Sequence, residues 1–263
     1  MRRLLVFLML YAGGSVLAQE RVLTFGIEFK PMMPGDLFRT GTADVSEQNL
    51  DFSINNKMGY SGGMLVRHGF TKSISLESGI NFVRRNYELS VTDNDIAFEG
   101  LSRFAVVGYE IPTRGLVYVR LGEQVYMNAA FGLSFNFYPS DVSTSGDYFD
   151  HISRRRSWVQ TAGVANLGWE YRTLESGIIY FGASFHRPFN DMYNSKLRYQ
   201  TDTYFTDVNT TLNAAYLTFD LRYFFHEEPL KKERKGKEEN KLREFRKMQK
   251  QRDKKQKQSQ KSS

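Results

Sequence analysis

Residues 125–137 read VYMNAAFGLSFNF, and this stretch decides the fold class. Val125, Met127, Phe131 and the alternate residues up to Phe137 are apolar, whereas the residues between them are mostly small or polar. A period of two places the apolar side chains on one face of an extended strand and the others on the opposite face. The stretch therefore predicts a β-strand with one apolar face.

The same alternation recurs along the chain and predicts eight antiparallel strands. The pattern of the third segment changes phase between Phe82 and Tyr87, which predicts a β-bulge. Pro112 has no amide hydrogen and is expected to interrupt the hydrogen bonding of the fourth segment. The predicted segments are 21–30, 56–67, 72–91, 102–121, 125–138, 158–171, 177–187 and 211–225.

Short turns and long loops alternate between the predicted strands. The short turns are 68–71, 122–124 and 172–176, and the long loops are 31–55, 92–100, 139–157 and 188–210. Outer-membrane barrels have short periplasmic turns and longer extracellular loops. A soluble barrel of the lipocalin type also has eight strands, but its apolar face points inward. Charges of both signs on the polar face, and aromatic residues such as Trp169 at strand ends, favour an up-and-down transmembrane β-barrel.

The start of the chain has the composition of a secretory signal. Two arginines precede the apolar run 4–10, and the small-residue sequence Val16-Leu17-Ala18 follows it. This order predicts export and cleavage after Ala18. The predicted organisation is a signal peptide at 1–18, an outer-membrane β-barrel at 19–225 and a basic tail at 226–263, with both ends of the mature chain in the periplasm.

The last 38 residues differ from the rest in composition. They hold 15 Lys and Arg against 7 Asp and Glu, a net charge of +8, which leaves the preceding 225 residues at −1. Their residues are good helix formers, but only Leu242, Phe245 and Met248 form an apolar stripe. A helical tail and a disordered tail both fit. The charge favours an electrostatic tether to a periplasmic protein or to the cell wall, and export argues against nucleic acid as a partner.

Charged residues on the polar face are expected to line the barrel interior. An eight-stranded barrel is just wide enough for its own side chains to fill. Buried charges must pair, so the pattern predicts a charge network in the lumen rather than an ion path. The predicted members are Glu28, Lys30, Arg67, Glu77, Glu110, Arg120, Glu170, Asp220 and Arg222.

Two short motifs point to other chemistry. His151-Ile152-Ser153 has the His and Ser spacing with which outer-membrane lipid hydrolases activate serine, but the triplet is expected in a polar loop. Arg154-Arg155-Arg156 follows and is a candidate contact for lipopolysaccharide phosphates, or else a solvated charge cluster. Cysteine is absent and the four histidines are scattered, so no metal or cofactor is predicted.

Three stretches resemble the outer-membrane β-barrel family that is abundant in Bacteroidetes. They are Tyr109-Glu110-Ile111-Pro112, the Ala130-Phe131-Gly132 centre of 125–137, and the aromatic-ended segment 216–225. The resemblance spans residues 20–225 and implies a small eight-stranded barrel of the OmpA/OmpX type in the cell outer membrane. Many such barrels stop where this chain continues for a further 38 residues.

The function that follows from these features is structural or binding, and not enzymatic. Loops are expected to face outward, with outer-membrane lipid and lipopolysaccharide as partners, and the tail to face the periplasm. Two alternatives stay open. One is an outer-membrane lipid hydrolase that uses His151 and Ser153, and the other is a narrow pore.

Overall fold

A computed structural model of the chain describes residues 23–33, 43–47, 50–71, 73–173, 176–202, 204–213 and 215–225. The predicted signal peptide and the basic tail lie outside these ranges. Thirteen β-strands occupy the described part of the chain. None of the described residues forms a helix that could span a lipid bilayer.

The strand count differs from the eight predicted, because five strands lie in segments that were expected to be loops. These five are β2, β7, β8, β11 and β12. The strands are β1 (Leu23–Met32), β2 (Ala43–Glu47), β3 (Leu50–Gly69), β4 (Ile74–Asp93), β5 (Phe98–Arg120), β6 (Val125–Phe137), β7 (Val142–Ser145), β8 (Phe149–Arg155), β9 (Val159–Arg172), β10 (Ile178–Pro188), β11 (Tyr193–Gln200), β12 (Phe205–Leu212) and β13 (Tyr216–Phe224).

All strand pairings are antiparallel. Eight of the strands pair in a cycle, in which the last strand pairs again with the first. β1 pairs with β3, and the pairing continues through β4, β5, β6, β9 and β10 to β13. β13 pairs again with β1, from Gly26 opposite Phe224 to Met32 opposite Thr218. We call these eight strands the circuit. The short turns β3–β4, β5–β6 and β9–β10 mark its turn end, and the opposite side is its loop end.

The other five strands lie at the loop end. β2 pairs with the first residues of β3. β12, β11, β8 and β7 form a separate four-stranded sheet, the cap sheet, in that order. The buried face of the cap sheet packs against the loop-end parts of β3, β4 and β5. The apolar core between them contains Leu50, Phe52, Ile54, Tyr87, Leu89, Val91, Phe104, Val106, Tyr138, Phe149, Met192, Tyr193, Leu197, Tyr199, Val208 and Leu212.

The inward face of β4 changes from polar to apolar along the strand. Glu77 and Asn81 are buried near the turn end, and Tyr87 and Leu89 are buried on the same face near the loop end. The other face changes in the opposite sense, from the exposed Ile80 to polar residues beyond position 85. The strand therefore leaves a region with an apolar exterior and enters a region with an apolar core.

This change of polarity explains why the predicted bulge in β4 is wrong. The alternation of apolar residues shifts between Phe82 and Tyr87, but inward and outward positions continue without a break. The register shift lies in the partner strand β3, between Lys57 and Tyr60. Pro112 has no partner in the β4–β5 ladder, as its missing amide hydrogen predicted, and it pairs with β6 on its other side.

Large apolar side chains cover the outer face of the circuit. Phe131 is 73% exposed, and every odd-numbered residue of β6 from 125 to 137 is apolar. Soluble monomers rarely expose a large contiguous apolar surface, and such a surface marks a contact with another protein or with a membrane. Further members of this surface are Leu23, Phe25, Ile27, Phe29, Met64, Ile80, Val117, Val119, Leu133, Phe135, Leu167, Trp169, Ile179, Phe181, Phe219 and Leu221.

Candidate functional site

Charged side chains inside the circuit converge on Glu77 of β4. Its carboxylate accepts hydrogen bonds from Arg67 (Nη2 to Oε2, 2.8 Å), Arg114 (Nη2 to Oε1, 2.7 Å) and Arg222 (Nη1 to Oε1, 3.1 Å). The side chains of Glu77, Arg114 and Arg222 are fully buried, and that of Arg67 is 5% exposed. The arginines come from β3, β5 and β13, so one carboxylate joins four strands.

Some of these contacts cross the interior from wall to wall. Arg67 of β3 also binds Glu170 of β9, with 2.7 Å between Nη1 and Oε1. β3 and β9 are four strands apart in either direction around the circuit. Glu28 of β1 accepts a hydrogen bond from Asn81 of β4 at 2.5 Å. Side chains that meet in this way occupy the space that a water-filled path would need.

Polar partners complete the cluster on both sides. Asp220 binds Arg222 at 2.5 Å and accepts hydrogen bonds from Thr218 at 2.6 Å and Asn166 at 3.0 Å. Ser184 donates to the same carboxylate. A buried charge costs several kcal/mol unless it is paired and hydrogen-bonded, and these contacts meet that requirement for Asp220.

A lysine and a histidine share the carboxylate of Glu110. Lys30 Nζ lies 3.5 Å from Glu110 Oε2 and 3.1 Å from Glu28 Oε1. His186 Nδ1 lies 3.0 Å from Glu110 Oε1, and its ring stacks on that of Tyr216 with 4.3 Å between centroids. These contacts extend the cluster toward the loop end.

Eight of the nine charges predicted for the interior lie in this cluster, and Arg120 does not. Arg120 is exposed at the turn end, where its Nε donates to the carbonyl of Gly122 at 2.8 Å. It lies beyond Tyr118, the last buried residue of β5. The eight residues that the structure brings inside are Glu28, Lys30, Arg67, Glu77, Glu110, Glu170, Asp220 and Arg222.

The sequence prediction missed Arg114, Arg85 and His186. Arg114 is four residues after Glu110, so the same period of two would have predicted it on the face of Glu110. Arg85 has no carboxylate partner among the described residues; its Nη1 donates to the Tyr138 hydroxyl at 3.1 Å. Its guanidinium also lies 4.7 Å from the ring centroid of Tyr216. Arg85 thus occupies the boundary between the charged cluster and the apolar core.

The His151-Ile152-Ser153 triplet lies in strand β8, not in a loop as predicted. The Oγ of Ser153 is 3.0 Å from His151 Nε2 and 2.5 Å from the Oγ of Ser195. Both His151 and Ser153 are fully buried, and the ring of Phe104 lies 4.9 Å from the imidazole. Burial lowers the pKa of His151 to about 4, so the ring is neutral at neutral pH.

This arrangement lacks two requirements of serine catalysis. The buried Nδ1 of His151 has no hydrogen-bond partner among the described residues, so no third group orients the ring. Ser153 faces the apolar core, where a lipid substrate has no access. The contact between the two side chains is therefore geometrically suitable for proton transfer but is enclosed.

The arginines of the 154–156 triplet point in different directions. Arg154 is exposed on the outer face of β8. The side chain of Arg155 donates to the Tyr138 carbonyl at 3.1 Å. Arg156 lies 3.8 Å from the carboxylate of Asp191. Arg154 and Arg155 are successive residues of β8 and face opposite sides, and Arg154 and Arg156 line two different cavities, so the three guanidinium groups do not converge on one phosphate site.

Several solved structures of outer-membrane proteins are similar to this chain. OprG from Pseudomonas aeruginosa has a TM-score of 0.50 and 10% identity, covering 80% of this chain and 99% of its own. AlkL in lipid bilayers has a TM-score of 0.41 and 12% identity, covering 82% and 96%. The protease OmpT from Escherichia coli has a TM-score of 0.37 and 10% identity, covering 80% and 99%.

No protein-family model matches the sequence of this chain, and no curated protein matches it. At 10% identity, the similarity to OprG establishes the fold alone. The described part of the chain therefore has the all-β, antiparallel fold of an outer-membrane β-barrel protein.

Proposed function

We propose that the protein is a sealed, non-enzymatic β-barrel of the cell outer membrane with a structural or binding role. The eight strands of the circuit span the membrane as a closed barrel, and the cap sheet stands outside the cell. The observation that carries this proposal is the buried charge cluster, in which Arg67 and Glu170 meet across the interior at 2.7 Å.

The outer face of the circuit supports membrane insertion. A transmembrane strand needs roughly 9–11 residues, and lipid-facing positions alternate with interior ones. β6 has 13 residues with apolar side chains at all its outward positions. The exposed apolar surface that water would not tolerate becomes the lipid contact in this arrangement.

Two layers of side chains support a sealed interior. The charged cluster fills the circuit toward the turn end, and the apolar core fills the space under the cap sheet. An eight-stranded barrel is just wide enough for this packing. A narrow pore is the alternative that this filling disfavours.

The orientation follows from the lengths of the connections. Outer-membrane barrels turn tightly in the periplasm and carry their long segments outside the cell. The turn end is then periplasmic, and Phe225, the last described residue, lies next to the strands of that end. The basic tail, 226–263, starts there and acts as an electrostatic tether to a periplasmic protein or the cell wall.

Single cysteines at the two ends test the location and the orientation. The chain has no cysteine, so Glu99→Cys at the loop end and Glu123→Cys at the turn end each introduce one exposed thiol. A membrane-impermeant maleimide should label Glu99→Cys on intact cells, and Glu123→Cys only after lysis. Labelling of Glu123→Cys on intact cells, or of neither before lysis, would contradict the proposed topology.

Lipid hydrolysis is the second candidate function, and one observation favours it. Ser153 Oγ lies within 3.0 Å of a histidine nitrogen, the first contact that an activated serine needs. Ser153→Ala separates the two functions, because only a hydrolase loses activity on outer-membrane lipid.

A further inference from the structure

The outer wall of the circuit contains a groove of about 600 Å³ that runs along β9. Its floor is made of small residues, and their neighbours in register on β6 and β10 are large. Ala165 lies between Phe131 and Phe185, and Gly163 lies beside Arg187. The groove therefore arises where two small outward residues of β9, Gly163 and Ala165, lie between bulky residues of β6 and β10.

The floor of the groove has room for an added Cβ at Gly163. A Cβ added to Gly163 would meet its nearest atom, on the ring of Phe189, at 3.8 Å, which is an ordinary van der Waals contact. Phe131 and Phe189 are 73% and 62% exposed, so the groove has accessible aromatic walls. An acyl chain laid along β9 would cover these rings and fill the groove.

The loop end of the groove is positively charged. Arg187 is exposed on the outer wall and makes no side-chain hydrogen bond or ion pair with any residue that the structure describes. Arg156 lines the same end, and its Nη1 lies 3.8 Å from the carboxylate of Asp191. A charge on the lipid-facing surface of a barrel is costly, and the cost falls if an anion pairs with it.

We propose that this groove binds a phosphorylated glycolipid of the outer leaflet. An acyl chain lies against Phe131, Phe185 and Phe189, and a phosphate oxygen accepts hydrogen bonds from Arg187 and Arg156. The occupant needs an apolar chain and an anionic head at one end, and the outer-leaflet lipid has both. This site rests on the proposed membrane insertion, and it assigns lipid binding to Arg156 and Arg187 rather than to the 154–156 triplet.

Native mass spectrometry of the full chain in detergent tests the site, with diphosphoryl lipid A as the added probe. Gly163→Leu fills the floor and Arg187→Gln removes the head-group contact. Gly62→Leu is the matched control for the first: Gly62 lies on β3, four strands away, where an added Cβ has 3.5 Å to its nearest atom. Arg84→Gln is the control for the second, since Arg84 is exposed on β4.

The apparent affinity for lipid A, calculated from the lipid-bound fraction, should fall about tenfold in Gly163→Leu and in Arg187→Gln. The two controls should bind as the wild type does. Dephosphorylated lipid A should bind about tenfold more weakly than the diphosphoryl form to the wild type. Equal binding by Gly163→Leu and wild type, or equal binding of the two lipid forms, would overturn the site.

The failure of the site and the failure of the proposed function give different results. Each variant is first checked for the folded, heat-modifiable form that migrates separately on a gel, so a variant that does not fold is not counted as a loss of binding. If Glu99→Cys is labelled on intact cells and all variants bind lipid A equally, the proposed topology is supported and the proposed lipid site is wrong. If the labelling on intact cells contradicts the topology, the proposed function is wrong, whatever lipid the protein binds in detergent.

Discussion

Replacing Glu77 by glutamine removes the charge on which the interior arginines converge. Three guanidinium groups then share a neutral acceptor in a place that water does not reach. Removing one partner of a buried ion pair costs about 3–5 kcal/mol. In the variant, Arg67 still contacts Glu170 and Arg222 still contacts Asp220. We therefore expect the free energy of unfolding to fall by about 3 kcal/mol, the lower end of this range.

Urea unfolding of the barrel in lipid vesicles measures this cost. The fluorescence of the two tryptophans, Trp158 and Trp169, both exposed on the outer surface, reports the folded fraction. Glu88→Gln is the matched control, because Glu88 pairs with the exposed Lys57 and Arg103 outside the charged cluster. Exposed pairs contribute little, so its midpoint should stay close to that of the wild type.

A second substitution tests whether the cost arises from uncompensated charge. Arg114→Gln added to Glu77→Gln restores the charge balance of the cluster, so the double variant should be more stable than the sum of the two single changes indicates. The reasoning is refuted if Glu77→Gln shifts the unfolding midpoint no more than Glu88→Gln does.

Three further predictions concern the cap sheet and the tail. Burial lowers the pKa of His151 from 6.5 to about 4. Between these two pH values the imidazole is protonated in the unfolded chain and neutral in the folded chain. The free energy of unfolding should therefore fall by up to about 3 kcal/mol as the pH drops through this range, and His151→Gln should reduce that fall in urea titrations. Ser153→Ala should leave the lipid composition of the outer membrane unchanged by mass spectrometry, and a change would favour the hydrolase. Deletion after Pro229 should leave the folded, heat-modifiable form intact and reduce salt-sensitive retention on isolated cell wall; equal retention across a salt series would leave the tail without a tethering role.

The strands of the circuit were predictable because each carries its own signal. The alternation in residues 125–137 requires no knowledge of the neighbouring strands, and β6 begins and ends within one residue of the predicted segment. The strands of the cap sheet carry a weaker signal. β8 buries Phe149, His151 and Ser153 on one face, so polar and apolar residues are mixed on the buried side and alternation in hydrophobicity is lost.

The charge cluster was predictable as a set of inward residues but not as a set of contacts. Period two placed Glu77 and Arg222 on polar faces of their strands, and they are 145 positions apart. Their meeting depends on the register of every strand between them, which no local pattern specifies. The wrong prediction of a bulge in β4 has a similar origin, because a local pattern does not indicate which side of a strand faces an apolar environment.

Conductance across a planar lipid bilayer tests the sealed interior most directly. The full chain is inserted at known protein amounts, with an open porin as the positive control for insertion and detection. Arg67 and Glu170 meet across the circuit and the apolar core closes its loop end, so we predict no stable open step for the wild type. Reproducible porin-like steps would contradict the sealed barrel and show that the interior holds a continuous path for ions.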